Sequence, residues 1–396
     1  MINIIGGTYR EIDYDEVSVE LYGSGFRGAK FLLENKCAVH FSTLGNEETM
    51  TFLKENQKVY KNFTFELTPY KDLITFKYSF PLDSPSIFPN ILNISKGNSV
   101  IVKGDNIIAF GMLEVDYSVS GEKVVYDPQT SIKPNKFSDF GEAKELVYIV
   151  NKNEANSIAE SDNIDLIKVY FFQNEKATAF IIKDGPFGAT LYFEDKIIQI
   201  PSYITNNVFK IGSGDIFTTS FGYYWMHKKL GIEESAKLAS KSTALFCDIK
   251  AYIDVTNFTN FDFKEFNYKS IRDKQVYLAS PFFALSELIL IDKIRSAFQS
   301  FGIKVFSPFH DVGVGKSELI VKRDLNGINN SDIIFCLFDN YDSGTLIESG
   351  YSLSMGKKIV GYHRTCEEEK LLMLKVADIQ YYNHLTTAIY KTIWSL

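Results

Sequence analysis

At 396 residues, with 45% apolar and 23% charged side chains, the chain has the composition of an ordinary folded protein of about two domains. Its net charge is −7, and from Arg272 onward 14 basic residues balance 14 acidic ones, so the acidic surplus lies before that point. Neither part is basic, which excludes a phosphate-backbone groove, and hence nucleic acid, as the main partner, and no apolar run approaches the ~20 residues of a membrane span.

Met1-Ile-Asn-Ile-Ile-Gly-Gly reads as the start of a strand (2–5) and lacks the basic and long apolar segments of a signal peptide. A Gly-rich turn, Gly23-Ser-Gly25-Phe-Arg27-Gly28, leads into an expected helix over 29–34, followed by a strand over 38–42. Alternating polar and apolar residues between Tyr60 and Phe80 predict a hairpin with one wet face. Strands follow at 106–110, 124–126, 146–150, 178–183 and 188–193, and helices at 216–227 and 235–247. Strands alternating with helices predict an α/β layer on a mostly parallel sheet. The polar stretch from Asn267 to Lys274 marks a boundary, giving domains of 1–268 and 272–396. The second part alternates strands at 275–278, 304–306, 332–338 and 358–362 with helices at 286–301, 316–326 and 345–355, a small doubly wound sheet of flavodoxin or Rossmann type. The cysteines Cys37, Cys247, Cys336 and Cys366 have neither metal-ligand nor redox spacing, which points to a reducing cytoplasm.

Two places carry chemistry. In the second part Asp324, Asp342 and Glu348 gather around one strand end, where ligands of doubly wound sheets bind. Cleavage of an N-glycosidic bond needs a carboxylate to trap an oxocarbenium-like sugar and an acid to hold the departing base. Glu348, expected in the first turn of a helix that begins beside Gly344 and Thr345, is the nucleophile candidate, with the helix dipole keeping it ionised. Asp342 and Asp324 are candidates for base binding and proton transfer. In the first part Gly212-Ser213-Gly214-Asp215 precedes a helix, a setting that exposes backbone N–H groups to an anion and lets an Asp act as base toward an attacking hydroxyl.

The stretches Val276-Tyr277-Leu-Ala-Ser280-Pro-Phe282-Phe, Asp324-Leu-Asn326-Gly-Ile-Asn-Asn-Ser-Asp332, Asp342-Ser-Gly344-Thr345-Leu-Ile-Glu348 and Gly356-Lys-Lys-Ile-Val resemble the nucleoside 2-deoxyribosyltransferases. The resemblance implies Glu348 as nucleophile, Asp342 and Asp324 on the base, Tyr277 positioning the nucleophile and Ser280, Phe282, Asn326, Gly344 and Thr345 around the substrate. It also implies homo-oligomers with sites near subunit contacts and no cofactor. A related branch hydrolyses nucleoside monophosphates and carries a Ser- and Arg-rich phosphate loop after the first strand; Ser280-Pro-Phe-Phe stands there in this chain and favours an unphosphorylated sugar, with Ser280 and Ser286 keeping the monophosphate as the alternative.

Residues 1–265 resemble the ribokinase-like (phosphofructokinase-B) sugar and nucleoside kinases, an α/β fold with a β lid. The carriers are the Gly23–Gly28 turn, Asn151-Lys-Asn-Glu154, Lys183-Asp-Gly185-Pro-Phe-Gly188 and the Gly212–Asp215 loop. That resemblance implies ATP and Mg2+, with Asp215 as base. It places Gly23, Gly25 and Arg27 at the acceptor. Gly212, Ser213, Gly214, Asn151, Glu154, Lys183, Gly185 and Gly188 fall on the nucleotide side, with Glu154 toward the metal, and the hairpins at 9–22 and 60–80 become lid strands. Phe209-Lys210 stands where the family has Asp-Thr, and Arg27 where it has Asn, departures that keep a degenerate kinase-like module for nucleotide sensing or oligomerisation as the alternative to an active kinase, while Lys210 is expected to be exposed.

Overall fold

The computed structural model describes residues 1–130, 133–258, 261–267, 271, 273–313, 315, 317–364, 369, 372–377 and 379–396. Cys366, Glu367 and Glu368, and residues 268–270 and 272 of the polar boundary, lie outside the described residues. The chain divides into two compact units. One comprises Met1–Ser79, Ser84–Thr205 and Phe209–Phe266, and the other Phe80–Asp83, Asn206–Val208 and Asn267–Leu396.

The first unit contains strands β1 (Ile2–Ile5), β2 (Arg10–Asp13), β3 (Ser18–Leu21), β4 (Val39–Gly45), β5 (Phe63–Pro69), β6 (Thr75–Tyr78), β7 (Ser86–Phe88), β8 (Val100–Phe110), β9 (Tyr117–Asp127), β10 (Gly141–Asn151), β11 (Ala179–Lys183), β12 (Ala189–Phe193), β13 (Lys196–Ile200), β14 (Tyr203–Ile204) and β15 (Lys264–Glu265). Its α-helices are α1 (Gly23–Glu34), α2 (Glu47–Val59), α3 (Lys152–Ala159), α4 (Ile164–Val169), α5 (Ser213–Gly222) and α6 (Ile232–Ile249).

Nine strands form one sheet in the order β13-β12-β11-β10-β9-β8-β1-β4-β5. Its pairs are parallel except β11–β12 and β12–β13. The apolar runs Ile107–Phe110 and Leu146–Val150 are wholly buried, as expected of strands covered on both faces. A second sheet, ordered β3-β2-β6-β7, includes the hairpin read at 9–22. The hairpin expected over 60–80 does not form: β5 is the parallel edge strand beside β4, and β6 joins the smaller sheet. Alternation marks a half-wet strand but does not name its partner. The Gly-rich turn is likewise the first turn of α1. Gly23 has φ +65°, and a Cβ there would lie 2.5 Å from the Gly7 carbonyl oxygen.

The second unit contains β16 (Gln275–Ala279), β17 (Lys304–Phe306), β18 (Ile333–Leu337), β19 (Lys358–Tyr362) and β20 (Gln380–Tyr382), with helices α7 (Leu285–Ser300), α8 (Glu318–Asn330), α9 (Ser343–Ser354), α10 (Leu372–Val376) and α11 (Leu385–Ser395). The order β17-β16-β18-β19-β20, with every pair parallel, is the doubly wound order 2-1-3-4-5. The chain reverses its winding between β16 and β18, and the crevice at the carboxyl ends of such a pair is where sheets of this order bind ligands. Tyr277, Ile334, Cys336 and Phe338 pack the core next to that crevice.

The approach of α1 to the main sheet depends on Gly25, where a Cβ would lie 2.6 Å from the Gly6 carbonyl carbon. Gly25→Ala is expected to destabilise the first unit by roughly 1–3 kcal/mol, the usual cost of overpacking. Gly350→Ala, at a helical site with nothing within 4 Å, is expected to be neutral or stabilising. Thermal melts of the two variants check this.

Candidate functional site

In the second unit β16 carries Tyr277 to the crevice, and its ring is fully buried and stacked on Phe306 with centroids 5.5 Å apart. Its hydroxyl donates a 2.8 Å hydrogen bond to Glu348 Oε1 on α9. Helix α9 is capped by Asp342, whose Oδ2 accepts from the Thr345 N–H at 2.8 Å and the Thr345 hydroxyl at 3.0 Å. The cap explains the spacing from Asp342 to Thr345, because an Asp oxygen reaches the third helical N–H. A Cβ at Gly344 would sit 3.1 Å from that same oxygen, so a small residue keeps the cap compact.

Glu348 stands at the sixth helical position, not in the first turn, and the dipole falls off within one turn. Its carboxyl is raised from an ordinary value of 4.5 to about 7 rather than depressed. Burial is the largest cause, the Tyr277 hydrogen bond opposes it, and the nearby Asp324 and Asp342 charges add to it. Half-buried Asp324, on α8, is raised mainly by burial, and its Oδ1 is a buried oxygen without a hydrogen-bond partner among the described residues. One crevice thus holds three carboxyl groups and a phenol, with Ser280 buried at the end of β16 and Phe282 beside Phe309. Asn326 is exposed and, two residues past Asp324, lies about 200° around the helix. Sequence reading missed Cys336, a buried thiol on β18 that feels the Glu348 charge, and Phe306. Both sit in apolar runs that read simply as core.

In the first unit α5 starts at Gly212, which has φ +79° and no side-chain cap. Asp215 lies in its first turn and is buried. Arg27 of α1 is 3% exposed, and its Nη1 lies 2.8 Å from Asp215 Oδ2 and 3.1 Å from Glu11 Oε1, while Nη2 binds Glu11 Oε2. The second Asp215 oxygen accepts from Gln129 Nε2 at 3.3 Å. Burial raises the Asp215 carboxyl, Arg27 opposes the rise, and Glu11 and Asp127 add to it. Arg27 runs so close to the loop that a Cβ at Gly212 would lie 2.1 Å from its Nε. Lys183, at the end of β11, pairs with buried Asp127 at 2.7 Å, and its Nζ lies 3.5 Å from where a Gly214 Cβ would be.

Lys210 is half-buried rather than exposed. It donates to the Ser213 hydroxyl at 2.7 Å, and burial, aided by Lys183, lowers its pKa. Asn151 and Glu154 form a capping box on α3, each side chain accepting the other's backbone N–H. Burial and Asp127 raise the Glu154 carboxyl to about 7, against Lys183. Gly185 and Gly188 shape the β11–β12 turn, and a Cβ at Gly188 would lie 2.1 Å from the Ile200 carbonyl oxygen. The uncapped α5 start with Lys183 and Lys210 is a setting that suits an anion. Among the described residues no group of three or more His, Cys, Asp or Glu side chains is arranged to hold a metal ion. Sequence reading missed Glu11 and Asp127. Glu11 had a signal, since Glu11 and Asp13 occupy the inward positions of β2.

Residues 276–378 match the nucleoside 2-deoxyribosyltransferase family model. That segment contains Tyr277, Asp324, Asp342 and Glu348, the whole of the carboxyl crevice. No curated protein matches the chain. Among solved structures, the N-terminal part is similar to kinases of the ribokinase family. A fructokinase from Vibrio cholerae bound to fructose, ADP and calcium has 12% identity over 64% of this chain and 94% of that one, with a TM-score of 0.45. A ribokinase from Thermotoga maritima has 13% identity over 64% and 94%, with a TM-score of 0.42. A pyrophosphate-dependent kinase of the ribokinase family, complexed with a pyrophosphate analog and myo-inositol, has 14% identity over 63% and 95%, with a TM-score of 0.42. TM-scores below 0.5 leave the role of the first unit to its own residues. Among the described residues no helix is long and apolar enough to cross a membrane.

A carboxyl raised in the fold is best tolerated neutral, so the fold loses stability as pH rises from about 4.5 through about 7 and Glu348 ionises. Glu348→Gln is expected to raise the melting temperature at pH 8, by an amount equivalent to roughly 1–2 kcal/mol after allowance for partial exposure, and to leave it unchanged at pH 4. Melts at the two pH values check the sign.

Proposed function

We propose that the chain is a two-unit enzyme of nucleoside and sugar metabolism whose second unit cleaves and transfers the N-glycosidic bond of a deoxynucleoside. The observation that carries this reading is the Tyr277–Glu348 hydrogen bond at the strand switch point, inside the segment that matches the family model. Glu348, once ionised, attacks the anomeric carbon, and the bond to the base breaks. Asp324, whose carboxyl burial shifts toward the neutral form, supplies a proton to the leaving base. Asp342 fixes the helix that carries Glu348 and adds to the acid field that raises its pKa. A second base then attacks the glycosyl ester from the opposite side and regenerates the carboxylate, giving a retained anomer. Phe283, Leu285 and Ile347 stand exposed and offer an apolar surface for a second copy of the chain, in keeping with a homo-oligomer.

For the first unit we propose ATP-dependent phosphorylation of a sugar or nucleoside. The α5 start with Lys183 and Lys210 would hold the phosphates, and Asp215 would be the base. Mg2+ would come with the nucleotide, since Glu154 is turned back onto its own helix.

A base-exchange assay with a deoxynucleoside donor and a free acceptor base tests the second unit. Glu348→Ala is expected to lower exchange by at least about 10³-fold, as loss of a covalent nucleophile does. Tyr277→Phe removes a hydrogen bond that lowers the Glu348 pKa, so the rising limb of the pH–rate profile should move to higher pH. Free base without new nucleoside would favour hydrolysis over transfer, and full activity in Glu348→Ala would refute the assignment.

A further inference from the structure

The ion pairs of Arg27 join three elements of the first unit, β2 through Glu11, α1 through Arg27 itself and α5 through Asp215. Both Asp215 oxygens accept hydrogen bonds, one from Arg27 and one from Gln129. Each oxygen keeps a second lone pair, but an incoming hydroxyl must come within hydrogen-bond reach of it past the Arg27 guanidinium, which covers this side of the carboxylate. Arg27 does not depend on Asp215 for its charge balance, because Glu11 meets two of its nitrogens. Letting go of Asp215 therefore leaves the guanidinium paired, and this avoids the heavy penalty of an isolated buried charge.

A cavity of about 230 Å³ opens on Arg27 and Glu11, and Asp215 lies behind Arg27 rather than on its lining. It is smaller than the roughly 300–1,000 Å³ of sites for drug-sized ligands, and so suits a single sugar ring. Glu11, Asp13, Glu16 and Glu20 line it against three cationic side chains, so an anionic acceptor is disfavoured and hydroxyl donors are favoured. Tyr22 and Tyr252 add aromatic faces for the C–H side of a ring.

We propose that Arg27 gates Asp215: its ion pair holds the carboxylate away from an acceptor, and a neutral polyol or nucleoside entering the cavity beside Glu11 takes the place of that pair. The proposal rests on the reading of Asp215 as the base of an ATP-dependent transfer. In the released state Asp215 takes the proton of the acceptor hydroxyl. That oxygen bonds to the terminal phosphorus of a nucleoside triphosphate, the bond from this phosphorus to the bridging oxygen breaks, and the nucleoside diphosphate leaves.

The full chain is assayed for phosphoryl transfer from ATP to a panel of neutral sugars and nucleosides, and for ATP hydrolysis without any acceptor. Arg27→Gln is expected to raise acceptor-independent hydrolysis at least about tenfold over the parent, and the added change Asp215→Asn to remove the gain. Arg27→Lys, which keeps a cation but cannot bridge two carboxylates, should give a smaller rise and serves where circular dichroism shows Arg27→Gln to be unfolded. Acceptor-dependent transfer with the same acceptor-independent rate in parent and folded Arg27 variants would overturn the gate and leave the kinase reading standing. Absence of both transfer and hydrolysis from every folded variant would overturn the kinase reading, and the gate with it.

Discussion

The phenol of Tyr277 rises from the buried face of the second unit's sheet and meets Glu348 at 2.8 Å. This bond ties the first strand of the doubly wound sheet to the helix that follows the third. It fixes the direction of the carboxylate and lowers a pKa that burial and two neighbouring acids push up. The balance leaves Glu348 near neutrality, with a carboxyl at about 7. A carboxylate held there is a poorly solvated and therefore reactive anion above that pH, and a neutral acid below it. The remaining features of the crevice serve this one group. Asp342 caps its helix, Phe306 backs its phenol, and Asp324 presents a buried oxygen that no group among the described residues satisfies.

The first unit also raises buried carboxyls, but it meets most of its buried charge with a partner. Arg27 pairs with both Glu11 and Asp215, Lys183 pairs with Asp127, and Asn151 and Glu154 satisfy each other's backbone. Burial of an ion pair adds little net stability against apolar packing, so the arrangement is better understood as a positional device than as a source of stability.

The fold classes were legible because both units obey short-range rules. Val276–Ala279 and Ile333–Leu337 are apolar runs bounded by polar turns, and each leads to a helix. The acids of the crevice were legible because they flank such a run in sequence. Less legible was anything set by a partner distant in sequence. The edge role of Phe63–Pro69 is fixed by its pairing with Val39–Gly45, and the state of Asp215 by Arg27, 188 residues away. The direction of the Glu348 shift was misread for a related reason. A first-turn position with dipole stabilisation was assumed, whereas the Asp342 cap starts the helix at Ser343 and leaves Glu348 beyond the reach of the dipole, where burial prevails.

The central claim is that Glu348 becomes covalently attached to a sugar. Intact-mass measurement and peptide mapping, after brief acid quench of the protein with a slowly turned-over deoxynucleoside and no acceptor base, test this most directly. A deoxyribosyl mass on the peptide that contains Glu348, lost again when an acceptor base is added before the quench, is the predicted result. Base release with no adduct, or an adduct on any other residue, would contradict the account.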